Sequence, residues 1–181
     1  VVHLTVTAEL EPGPETVVIA GAGAGERAEQ LARDLGAPLL AEVGSGARFG
    51  PNLVVAYRAL LRDPVQFPVR RAIVVGRPTL SREVGSLVAQ AGVETIGVRG
   101  IGAEDYDPGR RMTRIVDEAV VPEPADPKDP AVRERVGRWV AASRALVGEG
   151  DDLAPAVDAP DGEFARGELA AVRATVTRRT L

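Results

Sequence analysis

One repeated pattern constrains the fold of this chain most. In it, a short run of β-branched residues ends at a glycine and is followed by helical spacing. The clearest run is Ala72–Val75, which is followed by Gly76, a turn at Pro78 and helical spacing from Ser81. A run that is apolar at every position suits a strand buried on both faces, and the helix after it serves as the crossover. Thr16–Ala20 has the same pattern. The sequence therefore predicts an α/β protein with a parallel sheet.

The rest of the pattern supplies enough elements for a Rossmann-like fold. Strands are predicted at 16–20, 38–43, 72–75, 94–99 and 118–121, with an edge strand within 3–10, and helices at 26–35, 52–61, 81–90 and 131–147. Crossovers between parallel strands are right-handed almost without exception. We predict a Rossmann-like parallel sheet of about five or six strands with helices on both faces.

A change of composition divides the chain after the last predicted strand. Four prolines punctuate an acidic stretch there: Pro122, Pro124, Pro127 and Pro130. We predict an α/β domain over 1–122, a linker with an amphipathic helix over 123–148, and a flexible segment over 149–181. The chain begins with valine and its last residues stop within a helix-like pattern, which we interpret as an excised piece of a longer protein.

Composition excludes several classes of function. A net charge of −4 and a pI near 5.2 argue against a nucleic-acid-binding surface, which needs a basic face. The absence of cysteine and the single histidine remove disulfides, thiolate nucleophiles and most histidine-based metal sites and triads, and we expect no metal site. There is no apolar run of membrane-spanning length and no leader pattern, so we expect a cytoplasmic protein without a membrane span.

A glycine cluster raises the hypothesis of a nucleotide site. Gly21, Gly23 and Gly25 lie between a predicted strand and a helix, and Glu42 ends the next strand, where a dinucleotide-binding fold keeps its ribose acid. The G-x-G-x-x-G fingerprint would place its third glycine where Glu26 stands, and a carboxylate repels a pyrophosphate. The alternative is that these small residues only permit close packing.

Four arginines follow predicted strands: Arg48, Arg77, Arg82 and Arg99. Because the carboxyl ends of parallel strands meet at one edge of the sheet, we expect these side chains to converge there. Guanidinium groups hold carboxylates in bidentate geometry, which indicates an anion-binding edge. The alternative for each is an ion pair with a local acid, such as Glu42 or Glu83, or simple solvation.

Several stretches carry a resemblance to a known family. They are Pro14–Gly21, Pro38–Glu42, Ser45–Arg48 and, most specifically, Gly76–Arg82. Over about residues 10 to 145 the chain resembles the central domain of actinobacterial MenD enzymes. These are the 2-succinyl-5-enolpyruvyl-6-hydroxy-3-cyclohexene-1-carboxylate synthases of menaquinone biosynthesis. The last helical pattern resembles the linker and the opening of the third domain.

The resemblance implies a transferase of three α/β domains, a homodimer or homotetramer, that joins decarboxylated 2-oxoglutarate to isochorismate. In the family, the outer two domains bind thiamine diphosphate and magnesium. This sequence has no Gly-Asp-Gly motif with a downstream asparagine, so we expect the piece alone to bind neither cofactor and to be inactive. Its implied partners are the other two domains and the small-molecule substrates.

The resemblance also implies which residues matter. The position at which the family's central domain lends a basic residue to the substrate pocket is Arg82, preceded by Ser81, and many relatives carry lysine there. We expect Ser81 and Arg82 to bind substrate and no residue of this chain to be catalytic. A second hypothesis is a regulatory module in which Arg48, Arg77 and Arg99 bind an anionic metabolite, such as a downstream aromatic carboxylate. A nucleotide-binding domain is the third.

Overall fold

A five-stranded parallel sheet forms the centre of the protein. The structure is a computed structural model that describes residues 5–100 and 106–152. Along the sheet the order is β3-β2-β4-β5-β6, with every neighbouring pair parallel. The strands are β2 (Thr16–Ala20), β3 (Leu39–Ala41), β4 (Arg71–Val75), β5 (Glu94–Val98) and β6 (Arg114–Val116). This confirms the predicted Rossmann-like α/β fold.

The central strands are apolar throughout because both of their faces are covered. Val18 of β2 is paired with Leu39 on one side and Ile73 on the other, and all three are fully buried. Successive side chains of a strand point to opposite faces. Val18 and Ile73 thus belong to one core, whereas Val17 and Val74 belong to the core on the other face.

Helix α1 (Glu26–Asp34) covers the first face. Its buried positions include Ala28, Leu31 and Ala32, at the spacing that places apolar residues on one side of a helix. A small second sheet packs beside it and consists of the parallel strands β1 (Thr7–Glu9) and β7 (Glu118–Val120). Ala8 of β1 is buried in the same core as α1. The first face is therefore closed by one helix and a two-stranded sheet.

Three helices cover the second face: α2 (Tyr57–Leu60), α3 (Arg82–Val88) and α4 (Pro130–Asp152). Helix α4 contributes Trp139 and Val140 to this core. Its Arg135 donates two hydrogen bonds, of 3.1 and 3.0 Å, to the carbonyl oxygen of Gly36. The helix after the proline-rich stretch thus packs on the body formed by the sheet.

The helix predicted over 52–61 is wrong for its first half, and only Tyr57–Leu60 is helical. The N–H of Val54 donates to the carbonyl oxygen of Leu39 at 2.9 Å, so the chain runs beside β3 instead. Nδ2 of Asn52 donates to the carbonyl oxygens of Ala32 and Ala37. These long-range bonds override a helical pattern that was read from local spacing.

The last strand of the sheet is also different from the prediction. Glu118–Val120 is extended, but it is paired with β1 in the small sheet. The edge strand of the main sheet is β6, which lies between the strands predicted at 94–99 and 118–121, where the sequence pattern predicted none. β6 has three residues and begins with an exposed arginine, Arg114, so it lacks the apolar run by which the other strands were recognised.

The predicted division into residues 1–122, 123–148 and 149–181 stays a prediction. Helix α4 begins in the second part and continues to Asp152, and residues 153–181 lie outside the described residues. Within 5–100 and 106–152, no helix has both the length and the apolar character needed to cross a membrane.

Candidate functional site

The loops after β2 and β4 lock together at the carboxyl edge of the sheet. Ala22 donates its N–H to the carbonyl oxygen of Arg77 at 3.0 Å, and the N–H of Arg77 donates back to the carbonyl oxygen of Ala22 at 2.9 Å. The approach is so close that a Cβ on Gly21 would lie 2.1 Å from the backbone nitrogen of Pro78. Gly76, with φ of +70°, makes the turn that brings the two loops together.

These contacts account for Gly21 of the glycine cluster. A Cβ on Gly21 would collide with the 76–78 turn, whereas a Cβ on Gly25 would meet nothing within 4 Å. The N–H of Gly25 donates to the carbonyl oxygen of Ser45 at 2.8 Å, which joins its loop to the loop after β3. The hypothesis of a nucleotide site gains no support from these contacts.

Glu42 holds the loop between β4 and α3. Its Oε2 accepts the N–H of Thr79 at 2.9 Å and its Oε1 accepts the N–H of Leu80 at 2.8 Å. The residue is only 3% exposed. Both oxygens of a buried carboxylate are thus used on two consecutive backbone amides, which is the kind of partner that a buried charge requires.

Ser81 ends this loop and caps α3. Its Oγ accepts the N–H of Val84 at 3.4 Å, and it also donates to Oε2 of Glu83 at 3.4 Å. A serine in this position satisfies one of the free amides of the first helical turn. Ser81 is 8% exposed, so its first role is structural. Its predicted contact with substrate stays a prediction.

Arg82 is the first residue of α3, and its side chain is exposed. It lies at one end of an open cleft of about 680 Å³ between α3 and the 61–70 segment. Within the part of the chain that the structure describes, its guanidinium makes no hydrogen bond or ion pair. Arg82 is therefore a cation held at a helix start and available to an external anion.

The neighbouring acid, Glu83, already forms an ion pair with another arginine. Nη2 of Arg62 lies 2.6 Å from Oε1 of Glu83 and donates a hydrogen bond to it. This hydrogen bond lowers the pKa of Glu83 below its ordinary value, and the Ser81 hydroxyl adds to the effect. Glu83 stays ionised and directed to Arg62, so it does not cancel the charge of Arg82.

Arg48, Arg77 and Arg99 lie in the loops that follow β3, β4 and β5. Because those strands are parallel, all three residues belong to the same edge of the sheet. Nη1 of Arg48 donates to the carbonyl oxygen of Ala41 at 3.3 Å, and Nη1 of Arg99 lies 2.5 Å from Oδ1 of Asp117. The local ion pair that the sequence offered as an alternative is thus formed by Arg99, with Asp117 as the acid.

Tyr106 is a residue of this edge that sequence reasoning did not single out. It is half-buried and borders a small cavity beside Gly76, Gly97 and Arg99. Burial raises the pKa of the Tyr106 hydroxyl above its ordinary value, and the negative charge of Glu42 raises it further. The phenol therefore stays protonated at neutral pH and is available as a hydrogen-bond donor.

The carboxyl edge does not have the composition of a metal centre. Among residues 5–100 and 106–152, no three or more histidine, cysteine, aspartate or glutamate side chains come together in a way that could hold a metal ion. Its charged groups are arginines and carboxylates that are already bonded to backbone amides or to arginines. The site is suited to binding a carboxylate.

Comparison with known proteins identifies the family. The 2-succinyl-5-enolpyruvyl-6-hydroxy-3-cyclohexene-1-carboxylate synthase of Leifsonia xyli subsp. xyli is 54% identical in an alignment of 185 positions that covers 93% of this chain. The synthase of the same name from Clavibacter michiganensis is 50% identical in an alignment of 182 positions that covers 96% of this chain. That from Paenarthrobacter aurescens is 39% identical in an alignment of 165 positions that covers 85% of this chain.

The chain belongs to this synthase family. It covers 31% of the length of the first two relatives and 29% of the third, so it spans about a third of a MenD chain. No family model matches it. The resemblance to actinobacterial MenD enzymes, which rested chiefly on Gly76–Arg82, is confirmed. In this MenD segment, that same stretch is the loop held by Glu42.

Proposed function

We propose that this chain is the central domain of a MenD synthase. The complete enzyme is a thiamine-diphosphate-dependent transferase of menaquinone biosynthesis that joins decarboxylated 2-oxoglutarate to isochorismate in the cytoplasm. The contribution of this domain is to hold the other two domains in register and to lend Arg82 to the substrate pocket. The domain alone is inactive.

One observation carries the role of Arg82. Its guanidinium is exposed and has no partner among the described residues, while the loop before it is held by Glu42 and the helix start is capped by Ser81. The backbone that carries Arg82 is thus held, and a guanidinium fork can bind a carboxylate with two parallel hydrogen bonds, which fix its orientation as well as compensate its charge. This arrangement supports a contact with a carboxylate of a substrate.

The arrangement around Glu83 supports the same conclusion. A free carboxylate one residue from Arg82 would compete with a substrate carboxylate for the guanidinium. Arg62 removes this competition because it holds Glu83 at 2.6 Å. Arg82 thus keeps its positive charge for an external ligand.

Thiamine diphosphate and magnesium belong, in this proposal, to the other two domains of the complete homodimer or homotetramer. The described residues do not fit either group, since the 76–78 turn packs directly against Gly21 of the glycine cluster and no acidic cluster among them is suited to a metal. We therefore assign no residue of this chain to the cofactors and no catalytic step to this domain.

The test uses the full-length synthase that carries this segment, with separate measurement of KM for 2-oxoglutarate and for isochorismate. We expect Arg82→Ala to raise KM for one of them about 10- to 100-fold, since a hydrogen-bonded ion contact contributes about 1.5–3 kcal/mol. Arg82→Lys should recover part of the loss. Arg138→Ala, an exposed arginine of α4, is the control. Unchanged values for both substrates in Arg82→Ala would overturn the proposal.

A regulatory anion site formed by Arg48, Arg77 and Arg99 is a second proposal. Its support is the placement of the three residues at one edge of the parallel sheet. Calorimetric titration of the chain with aromatic carboxylates tests it. Binding heat that disappears in Arg77→Ala supports the site, and the absence of heat at millimolar ligand contradicts it.

A further inference from the structure

We infer that Glu42 is a positioning residue for Arg82. Its carboxylate fixes the 79–81 loop and so determines where the Arg82 guanidinium meets the substrate carboxylate. This inference rests on the proposed role of Arg82 and adds to it a residue about 40 positions earlier in the chain, in the loop after β3.

The first step is that Glu42, which anchors the 79–81 loop, is itself held in place. The N–H of Glu42 donates to the carbonyl oxygen of Ala20 at 2.9 Å, which ties it to the end of β2. Its own carbonyl oxygen accepts from Oγ of Ser45 at 2.7 Å and from the Ser45 N–H at 3.1 Å. Glu42 is thus held by the sheet on one side and by a tight turn on the other. A group fixed in this way can impose its position on a loop.

The second step is that the loop depends on this anchor. Leu80, the residue at the centre of the loop, is 56% exposed, so burial of its side chain does not hold the loop in place. Its N–H is bound by Glu42, and its carbonyl oxygen accepts from Nη2 of Arg58 at 2.9 Å. The backbone is therefore fixed mainly by polar contacts, of which the Glu42 carboxylate supplies two.

The third step connects the loop to Arg82. Leu80 is followed directly by the capping residue Ser81 and then by Arg82, so two peptide units separate the bound amide from the guanidinium-bearing residue. Any shift of the Thr79 and Leu80 amides moves the start of α3. Because a hydrogen bond weakens steeply with distance and misalignment, such a shift weakens the contact between the Arg82 guanidinium and the substrate carboxylate.

The chemistry explains why glutamate is suited to this position. A carboxylate has acceptors only, and it presents two oxygens to two adjacent N–H groups. Glutamine has the same size, but its NH₂ group would face one of the two N–H donors. Glu42→Gln therefore keeps the volume and removes the bidentate acceptance.

A purely structural role would change stability and nothing else, so the test needs a matched buried acid. Glu29 of α1 is also 3% exposed, belongs to another element and does not contact the 79–81 loop. Glu29→Gln makes the same chemical change at equal burial. Glu42→Asp, which keeps both acceptor oxygens on a shorter side chain, is the conservative variant.

The first experiment measures amide hydrogen exchange in the chain. We expect exchange of the Thr79 and Leu80 amides to become at least about tenfold faster in Glu42→Gln, with a smaller change in Glu42→Asp and none in Glu29→Gln. This measurement does not depend on synthase activity. Equal protection of both amides in Glu42→Gln and the unmodified chain would overturn the inference at its first step.

The second experiment measures KM and kcat in the full-length synthase. We expect Glu42→Gln to raise KM about tenfold for the substrate that responds to Arg82→Ala, with kcat nearly unchanged, and Glu29→Gln to leave both unchanged. In an Arg82→Ala background, Glu42→Gln should have no further effect on KM, because its influence passes through that residue.

The outcomes separate the two proposals. If Arg82→Ala leaves KM unchanged, the proposed role of Arg82 fails, whatever Glu42 does. If Arg82→Ala raises KM while Glu42→Gln does not, only the positioning role fails. Equal effects of Glu42→Gln and Glu29→Gln on KM would mean a general loss of stability and would also contradict the positioning role.

Discussion

Trp139 of α4 packs edge-on against Phe67, with ring centroids 4.9 Å apart and an angle of 63° between the planes. Phe67 lies in the segment that leads into β4, and both rings are almost fully buried. An edge-to-face pair of this kind adds to the stabilisation that burial provides. The contact joins α4, which follows the proline-rich stretch, to the core of the sheet.

We expect Trp139→Ala to lower the free energy of unfolding by about 3–5 kcal/mol, because it leaves a large cavity beside Phe67. Urea denaturation of the chain measures this loss. Leu146→Ala on the same helix is the control, since Leu146 is 39% exposed and its truncation should cost no more than about 0.5 kcal/mol. Similar values for the two variants would show that α4 is not part of the core.

A second prediction concerns the two locked loops. Gly21→Ala places a methyl group 2.1 Å from the nitrogen of Pro78, where only backbone could move to make room. We expect a loss of about 1–3 kcal/mol or more in thermal or urea unfolding. Gly44→Ala is the matched control, because no atom lies within 4 Å of its added Cβ. A neutral Gly21→Ala would contradict the close approach of the 76–78 turn.

A third prediction follows from the segment beside β3. Nδ2 of Asn52 donates to the carbonyl oxygens of Ala32 and Ala37, and Asn52→Asp would turn a carboxylate toward both of them. We expect the free energy of unfolding to fall by about 2 kcal/mol or more at neutral pH. Part of this lost stability should return at low pH, when the new carboxyl of the Asn52→Asp variant is protonated and can donate a hydrogen bond again. The same amide-to-acid change at exposed Gln66 is the control and should have little effect.

The fourth prediction is a pH dependence caused by Glu29. Burial raises the pKa of the Glu29 carboxyl above its ordinary value, and Arg33, with Nε 3.2 Å from Oε1, offsets this only in part. The folded state therefore holds the proton more tightly than the unfolded state. The stability that this supplies is fully present below the unfolded pKa and is lost as pH rises through the folded pKa.

Urea unfolding of the chain and of Glu29→Gln over a series of pH values tests the direction of this pH dependence. The free energy of unfolding of the chain, minus that of the variant, should decrease as pH rises through the folded pKa of Glu29. An increase over the same interval would mean that Arg33 dominates and that the pKa is lowered.

The sheet was predictable because its central strands are buried on both faces. Val17, Val18, Ile73 and Val74 form apolar runs that have few alternatives to a parallel strand. The pattern failed where long-range bonds decide the conformation. Leu53 has helical spacing with Ala56 and Tyr57, yet it pairs with Leu39 of β3, and no local signal distinguishes the two outcomes.

The candidate site was predictable only in part. The position of Arg82 followed from the resemblance of Gly76–Arg82 to the MenD family, and the structure adds that this arginine is exposed. Glu42 was noticed for different reasons, as the candidate ribose acid at the end of the strand that follows the glycine cluster and as a local acid for one of the arginines. Its true partners are the amides of Thr79 and Leu80, which lie 37 and 38 residues further along the chain. Spacing alone cannot indicate such a contact.

The packing of α4 has a consequence for synthesis on the ribosome. Arg135 and Gly36 are 99 residues apart in sequence, and Trp139 completes a core whose sheet residues were made long before. At about 5–20 residues per second, the second face of the sheet lacks this cover for several seconds while the nascent chain grows. A truncated chain that ends at residue 129 is therefore expected, after release from the ribosome, to be retained by chaperones or to bind a hydrophobic dye. A released chain that ends at residue 148 should lose this property, and equal dye binding by both would contradict the expectation.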